Sequence, residues 1–382
     1  MAVFPSQSPL IGTELYGLVR EYADLGIHRT GTDVDRATAD WLSSHLKHGG
    51  AEFLRQAYSF TFFDGASSVR LDGDEIPSMP LYYEALGDLS TGHVGIAEYY
   101  DGEHGGGLDE LLEATIDSAV LAGYDALVIA TGGSRGDLVA INCLPELRNR
   151  IPVVLVPGRY AHALRANSVT VEYSAVIRTA VSTNITGCWN AKQTGPSVVI
   201  TTPTSGWFAC AGERGTGIAV ALKVAERLSN ALPQVPLEFV APSGHELGYH
   251  GAWHLVEAVK APPKAILHLG SCIATQDAEM TAIVHTSDAI FDSVANALKP
   301  MRINAQRPKD PLDPDCWVGE SQCWAGFGRP MLSLAGVSPL FHTPDDIAEK
   351  STTPELLETA VDCITKAAMA LIQEIEFKQQ YP

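Results

Sequence analysis

Acidic and histidine side chains follow two apolar runs in the middle of the chain. Residues 198–200 lead into a glycine-rich stretch that contains Glu213, and Leu237–Ala241 leads to His245 and Glu246. Short apolar runs bounded by turn residues predict buried strands. Sites in open α/β sheets are built at the carboxyl ends of the strands. We therefore expect two carboxylates and an imidazole to meet at one edge of a sheet.

The other apolar patterns predict the elements that would hold these side chains. Helical periodicity covers most of residues 9–48, follows Gly217 and reappears after Pro354, where proline can occupy the first helical position. Residues 265–269 resemble a further buried strand. The pattern predicts an α/β fold in which a mixed, mostly parallel sheet is flanked by helices.

A second block of short strands and helices interrupts this pattern. Its predicted strands are 94–97, 126–130 and 151–156. Three features of the block resemble the protease-associated domain, namely a helix ending at residues 122–124, a buried strand, and the Ile-Pro-Val-Val sequence at 151–154. We expect residues 1–77 and 184–382 to form the main domain and residues 78–183 to form an inserted α/β domain.

Charge and composition exclude several functions. The 382 residues include 45 acidic and 26 basic side chains, a formal charge of -19 that opposes binding to nucleic acids or anionic membranes. No apolar run reaches 18 residues, the first residues lack a signal-peptide pattern, and the seven cysteines form no Cys-x-x-Cys pair. We expect a cytoplasmic protein without nucleic-acid or membrane partners. A homo-oligomer is left open.

The order of five further stretches resembles the M28 family of zinc aminopeptidase-like proteins. These stretches are residues 202–205, 210–217, 245–252, His268 and 342–346, preceded by a lead-in at 28–32. The resemblance implies the zinc aminopeptidase, or phosphorylase/hydrolase-like, fold. The family holds two metal ions through five ligands, which correspond here to Thr202, Glu213, Glu246, His268 and His342.

Several of these positions depart from the family pattern. A neutral Thr202 is a poor replacement for a histidine ligand, whereas Glu213, Glu246 and His342 keep chemistry that suits one divalent ion, and His268 could also bind. Glutaminyl cyclases, which are similar in fold, use such a set with one zinc. We therefore expect one divalent ion, zinc or alternatively iron or manganese.

His245 corresponds to the glutamate that serves as general base in the family. An imidazole can take a proton from water and return it to a leaving nitrogen near neutral pH. The resulting hypothesis is a metal-dependent hydrolase of an amide or related C-N bond in a small amide or short peptide. The alternatives are a cyclase or aminoacyltransferase of the glutaminyl-cyclase kind and a catalytically inactive interaction protein.

One competing motif occurs in the inserted block. Residues 132–136 match Gly-x-Ser-x-Gly, but residues 137–142 read as another strand, where the nucleophile elbow of a serine hydrolase requires a helix. We therefore expect no serine nucleophile at this position.

Overall fold

A computed structural model describes residues 10–99, 109–132, 136–259 and 261–380, with side chains up to residue 372. Its helices are α1 (Leu10–Asp24), α2 (Asp33–His48), α3 (Glu110–Leu121), α4 (Ala161–Ala166), α5 (Thr216–Ala231), α6 (His250–Ala258), α7 (Asp288–Leu298), α8 (Ala348–Ser351) and α9 (Pro354–Gln380). The two helices expected within residues 9–48 and the helices after Gly217 and Pro354 are confirmed.

The strands divide between two sheets. They are β1 (Glu52–Leu71), β2 (Asp74–Ile76), β3 (Met79–Pro80), β4 (Gly87–Thr91), β5 (Val94–Glu98), β6 (Ala126–Thr131), β7 (Val153–Pro157), β8 (Val169–Trp189), β9 (Val198–Thr201), β10 (Leu237–Ala241), β11 (Ala265–Leu269), β12 (Glu279–His285), β13 (Ala305–Gln306) and β14 (Met331–Val337). The strands expected at 94–97, 126–130, 151–156, 198–200 and 237–241 are therefore present.

The central sheet is mixed. Its order in the described residues is β13-β12-β14-β11-β9-β10-β8-β1-β2, with β4 beside β8. The four strands at its centre, β14, β11, β9 and β10, run parallel, and the outer pairs β12/β14, β10/β8 and β8/β1 are antiparallel. The carboxyl ends of β9, β10 and β11 therefore meet at one edge, as the sequence predicted.

Helices cover both faces of this sheet. Alternate strand residues point to opposite faces, so Ile200, Phe239 and Leu267 pack into the core formed with α1, α5 and α9. Val199 and Val240 pack on the other side with α6 and the turn segment Gly319–Phe327. Burial on both faces explains why these strands are mostly apolar, without the regular polar alternation of a solvent-facing strand.

The second sheet is small and lies within the inserted block. Its order is β3-β7-β6-β5, with β5, β6 and β7 parallel. Strands β1 and β8 pair antiparallel along their whole length, from Glu52 opposite Cys188 to Leu71 opposite Val169, and this ribbon carries the chain into and out of the block. The division at residues 77 and 183 stays a prediction.

Residues 137–142 do not form the expected strand. They are irregular apart from a single bridge at Asn142, and they form no helix either; residues 133–135 of the Gly-x-Ser-x-Gly motif lie outside the described residues. The seven cysteines form no disulfide. In the described part of the chain, no helix combines the length and hydropathy needed to span a membrane.

Candidate functional site

The chain after β9 turns sharply to bring two charged side chains inside. Cys210 adopts a left-handed conformation with φ +50°, and a π-helical turn, Ala211–Gly215, follows before α5 begins. Asp346 fixes this turn because its two carboxylate oxygens accept from the amides of Gly212 (2.8 Å) and Glu213 (2.9 Å). As a result the side chains of both Glu213 and Arg214 are buried.

The chain after β10 turns through two left-handed glycines. Gly244 (φ +86°) and Gly248 (φ +68°) flank the 3-10 turn His245–Leu247, a backbone shape that glycine adopts readily. Ser205, from the loop after β9, joins the two strand ends. Its Oγ accepts from the Gly244 amide (2.8 Å) and donates to Glu246 Oε2 (2.7 Å).

Both carboxylate oxygens of Glu246 are used by the protein. Oε1 accepts from the backbone amide of Thr30 (2.7 Å), in the lead-in segment identified from the sequence, and Oε2 accepts from Ser205. Glu246 is 1% exposed. It thus ties the amino-terminal segment to the strand ends.

Glu213 and His342 are in contact. His342 Nε2 lies 3.3 Å from Glu213 Oε1, while His342 Nδ1 donates to the carbonyl of Ala140 (3.0 Å). A carbonyl only accepts, so Nδ1 carries a proton and Nε2 is the ring atom that faces the carboxylate. Burial opposes ionisation of Glu213, but Arg214 and His342 outweigh it and lower the pKa of Glu213 to about 2.

His268 has a ring nitrogen without a partner among the described residues. Its Nδ1 bonds Ser333 Oγ (2.9 Å), Ser333 donates to Ser321 (2.9 Å), and Ser321 donates to the carbonyl of Val318 (2.6 Å). Because the chain ends on a carbonyl, Nδ1 carries the proton and Nε2 is the acceptor. Burial, followed by the charge of Arg214, lowers the pKa of His268 to about 3, so the ring stays neutral.

Glu320 is a site residue that the sequence reasoning missed. It is fully buried, and its Oε1 lies 3.2 Å from His245 Nδ1. Burial raises the pKa of Glu320 to about 8, and burial with Arg214 lowers the pKa of His245 well below its usual range. Both shifts favour neutral groups, so the contact is a hydrogen bond and not an ion pair. The sequence feature that could have identified Glu320 is its position as the single acidic residue between Trp317 and Trp324.

Arg214 occupies the centre of this group. Its Nε donates to the Ser205 carbonyl (2.9 Å), Nη1 reaches the Gly270 carbonyl only at 3.5 Å, and Nη2 lies 2.7 Å from Glu213 Oε1. The last contact is an ion pair without hydrogen-bond geometry, because within the described residues neither Nη2 nor the Glu213 oxygens have a hydrogen-bond partner.

Buried polar atoms without hydrogen-bond partners concentrate here. Within the part of the chain that the structure describes, they include Thr202 Oγ1, both Glu213 oxygens, Arg214 Nη2, His268 Nε2, Glu320 Oε2 and His342 Nε2. Each such atom costs about 1–3 kcal/mol when left unpaired. A group of them in one place is the mark of a functional site and not of an efficient core.

The predicted metal ligands are only partly brought together. Glu213 and His342 are in contact, whereas Glu246 is held by Thr30 and Ser205. The unpaired acceptors suit a cation, but among the described residues no group of three or more His, Cys, Asp and Glu side chains converges as a metal site requires. The arrangement thus does not fit a resident metal ion, and the set Glu213, Glu246, His342 and His268 stays a prediction.

The inserted block packs beside the site. A pocket of about 240 Å³ is lined by His245, Gly248 and Tyr249 and by residues 142–144 and 148 of the block. Three hydrogen bonds join the block to the site, since Ala140 N donates to His342 O (2.9 Å), Cys143 N to Glu246 O (3.1 Å) and Trp207 Nε1 to Asn142 Oδ1 (2.8 Å). The insert is therefore bonded to the site and lines the pocket beside His245.

A mixed sheet with helices on both faces, a second small sheet, and buried acids and histidines at the strand ends define a zinc-aminopeptidase-like fold. BSAP, a zinc aminopeptidase from Bacillus subtilis, superposes with a TM-score of 0.72 and 18% identity over 94% of each chain. A peptidase M28 precursor from Shewanella amazonensis SB2B gives 0.70 and 15% over 95% of this chain and 96% of that one. An aminopeptidase from Aneurinibacillus sp. strain AM-1 gives 0.64 and 15% over 94% and 93%.

The sequence comparison agrees with the fold. Residues 193–368, which hold Glu213, His245, Glu246, His268 and His342, match the family model described as peptidase family M28. This part of the chain is therefore similar to M28 peptidases. No curated protein matches the sequence.

Proposed function

We propose that the protein hydrolyses a C-N bond in a small amide or short peptide at the site beside His245. The observation that carries the proposal is the group of unpaired, buried polar atoms at the carboxyl ends of β9, β10 and β11, together with a pocket that His245 lines. The volume of about 240 Å³ favours a small substrate over a long peptide. The M28 match of residues 193–368 supports this class of reaction.

The pair His245 and Glu320 can move one proton through the site. With Nδ1 bonded to Glu320, Nε2 is the ring atom left for a water molecule or a substrate. Both groups are neutral at the start, so Glu320 can donate its carboxyl proton to Nδ1 while Nε2 gives its own proton to the leaving nitrogen. When Nε2 then takes a proton from water, Nδ1 returns its proton to Glu320, and both groups are neutral again.

The test is turnover of small amides, carbamates and dipeptides by purified protein. We expect His245→Gln to lower kcat by about 100-fold or more, since a positioned proton-transfer group contributes about that much, without a change in melting temperature. His93→Gln is the matched control because that side chain is 62% exposed. Full activity in His245→Gln would contradict the proposal.

Two alternatives give different outcomes. In water enriched in oxygen-18, hydrolysis places the label in the product, whereas a cyclase of the glutaminyl-cyclase kind does not. An inactive interaction protein, favoured by the Glu213–Arg214 pair at 2.7 Å, would turn over none of these substrates. The divalent ion expected from the sequence stays a separate proposal, as does the cytoplasmic location. Metal analysis of the purified protein tests the ion directly.

A further inference from the structure

The site combines several unmatched acceptors with one buried cation. His268 Nε2, His342 Nε2 and both oxygens of Glu213 have no hydrogen-bond donor in the described part of the chain. His342 Nε2 and Glu213 Oε1 are 3.3 Å apart. Arg214, fully buried and 2.7 Å from the same oxygen, is the buried cation.

We infer that the Arg214 guanidinium is the resident cation of this site, that it excludes a divalent metal ion from Glu213, and that it binds the carbonyl oxygen of the substrate. The second part rests on the proposed function, whereas the first does not. No metal-dependent step is needed in this arrangement.

The donor count of Arg214 supports a ligand oxygen. A guanidinium has five N-H donors. One of them makes a good bond, to the Ser205 carbonyl at 2.9 Å, and one makes a marginal contact at 3.5 Å with the Gly270 carbonyl. Nη2 has no hydrogen-bond acceptor within the described residues. An arginine buried only to stabilise the fold would be expected to saturate its donors.

The charge balance points to a neutral oxygen and not to an anion. Glu213 already neutralises Arg214 at 2.7 Å, and Glu246 lies in the same group of side chains. A substrate carboxylate would add a second uncompensated negative charge to a buried site. A carbonyl oxygen adds none, and it gains negative charge only as its C-N bond is attacked. Hydrogen-bond donors held in place act most strongly on that developing charge.

The backbone commits Arg214 to this position. Left-handed Cys210 and the π-helical turn bring residues 213 and 214 to the same interior, and Asp346 holds the preceding amides.

Zinc binding tests the first part without any substrate. In titrations of zinc into apo-protein, Arg214→Gln, which removes the charge, is expected to bind one zinc per chain at least 100-fold more tightly than the wild type. Arg214→Lys, which keeps the charge, is expected to resemble the wild type. The double variant Arg214→Gln/His342→Ala is the control for zinc held elsewhere and is expected to lose the gain.

Two results would overturn this part. One is a wild-type protein that binds one zinc tightly and loses it in Glu213→Gln. The other is an Arg214→Gln protein, folded by circular dichroism, that gains no zinc affinity. If Arg214→Gln does not fold, the Glu213→Gln comparison in the wild-type background still decides the matter.

Kinetics on any amide that the wild type turns over test the second part. We expect Arg214→Gln to lower kcat by about 100-fold, as loss of one oxyanion donor does, and Arg214→Lys to retain about a tenth of the activity. Equal activity of the wild type and Arg214→Gln would overturn carbonyl binding. Failure of the whole substrate panel would count against the proposed function and leave the zinc result intact.

Discussion

Two buried Glu-Arg groups in this protein differ in how completely they are bonded. In the insert, Glu84 accepts from Arg148 Nη1 (3.0 Å) and from Arg150 Nε (2.8 Å) and Nη2 (2.9 Å), and Arg150 also reaches Glu113. At the strand ends, the Glu213–Arg214 pair has charge contact but no hydrogen-bond geometry. The first arrangement fixes a fold, whereas the second keeps bonding capacity for a ligand.

The largest expected effect is in the bonded group. Glu84→Gln removes the negative charge that both arginines contact, and we expect the free energy of unfolding to fall by about 3 kcal/mol. This value is at the lower end of the range for breaking a buried ion pair, because Arg150 and Arg148 are 15% and 26% exposed. Urea unfolding measures the loss. Glu113→Gln, at the half-exposed rim, should cost less than about 1 kcal/mol. Equal losses in the two variants would show that the buried Glu84 stabilises the fold no more than the partly exposed Glu113 does.

The next effect concerns how the charges are coupled. In a double-mutant cycle, Glu213→Gln with Arg214→Gln should show a coupling free energy of about 2 kcal/mol, because either single change leaves one charge buried alone. The corresponding cycle for Glu84 and Arg150 should give less, since Arg148 still pairs with Glu84. A coupling near zero at the strand ends would mean that the Glu213–Arg214 contact contributes nothing.

A third prediction uses the pH dependence of stability. The pKa of Glu320 is about 8 in the folded chain, raised by burial from 4.5. Between these values the folded chain holds a proton that the unfolded chain has released. Stability therefore falls as pH rises from 4.5 to 8. Glu320→Gln should flatten this decline in melting curves from pH 5 to 9, and parallel curves would contradict the assignment.

The smallest expected effect on stability comes from a hydrogen bond between the insert and the main domain. Trp207→Phe removes the indole donor to Asn142 Oδ1 and should cost about 1 kcal/mol in thermal unfolding. Trp41→Phe is a matched control, because its indole bond to Glu21 lies at the exposed surface and should matter less. A larger loss in the Trp41 variant would show that the insert is held down by other contacts.

The sequence was most informative where periodicity was strong. The strands β9 and β10 were recognisable because burial on both sheet faces favours a mostly apolar run. Their positions in the sequence then indicated Glu213, His245 and Glu246 as side chains at the sheet edge. Glu320 was missed because it lies in the 3-10 segment Gly319–Phe327, which has no periodicity of its own. The burial of Arg214 was equally invisible, since it depends on the left-handed residue Cys210.

The wrong strand at residues 137–142 has a physical cause. Leu138, Ala140 and Ile141 are buried, as a strand would require. The backbone of Ala140 is instead bonded to His342, and the Cys143 amide to the Glu246 carbonyl. Those groups were therefore unavailable to a sheet ladder, and no local pattern could reveal partners about 100 and 200 residues away along the chain.

The two bonds between Ala140 and His342 link two events in time. The Ala140 amide can exchange its hydrogen with solvent only when the insert separates from the His342 loop. That separation also removes the acceptor that fixes the His342 Nδ1 proton. Separation of the insert from the His342 loop and loss of the fixed His342 tautomer are thus a single kinetic step. The hydrogen-exchange rate of the Ala140 amide therefore measures how often the site disassembles.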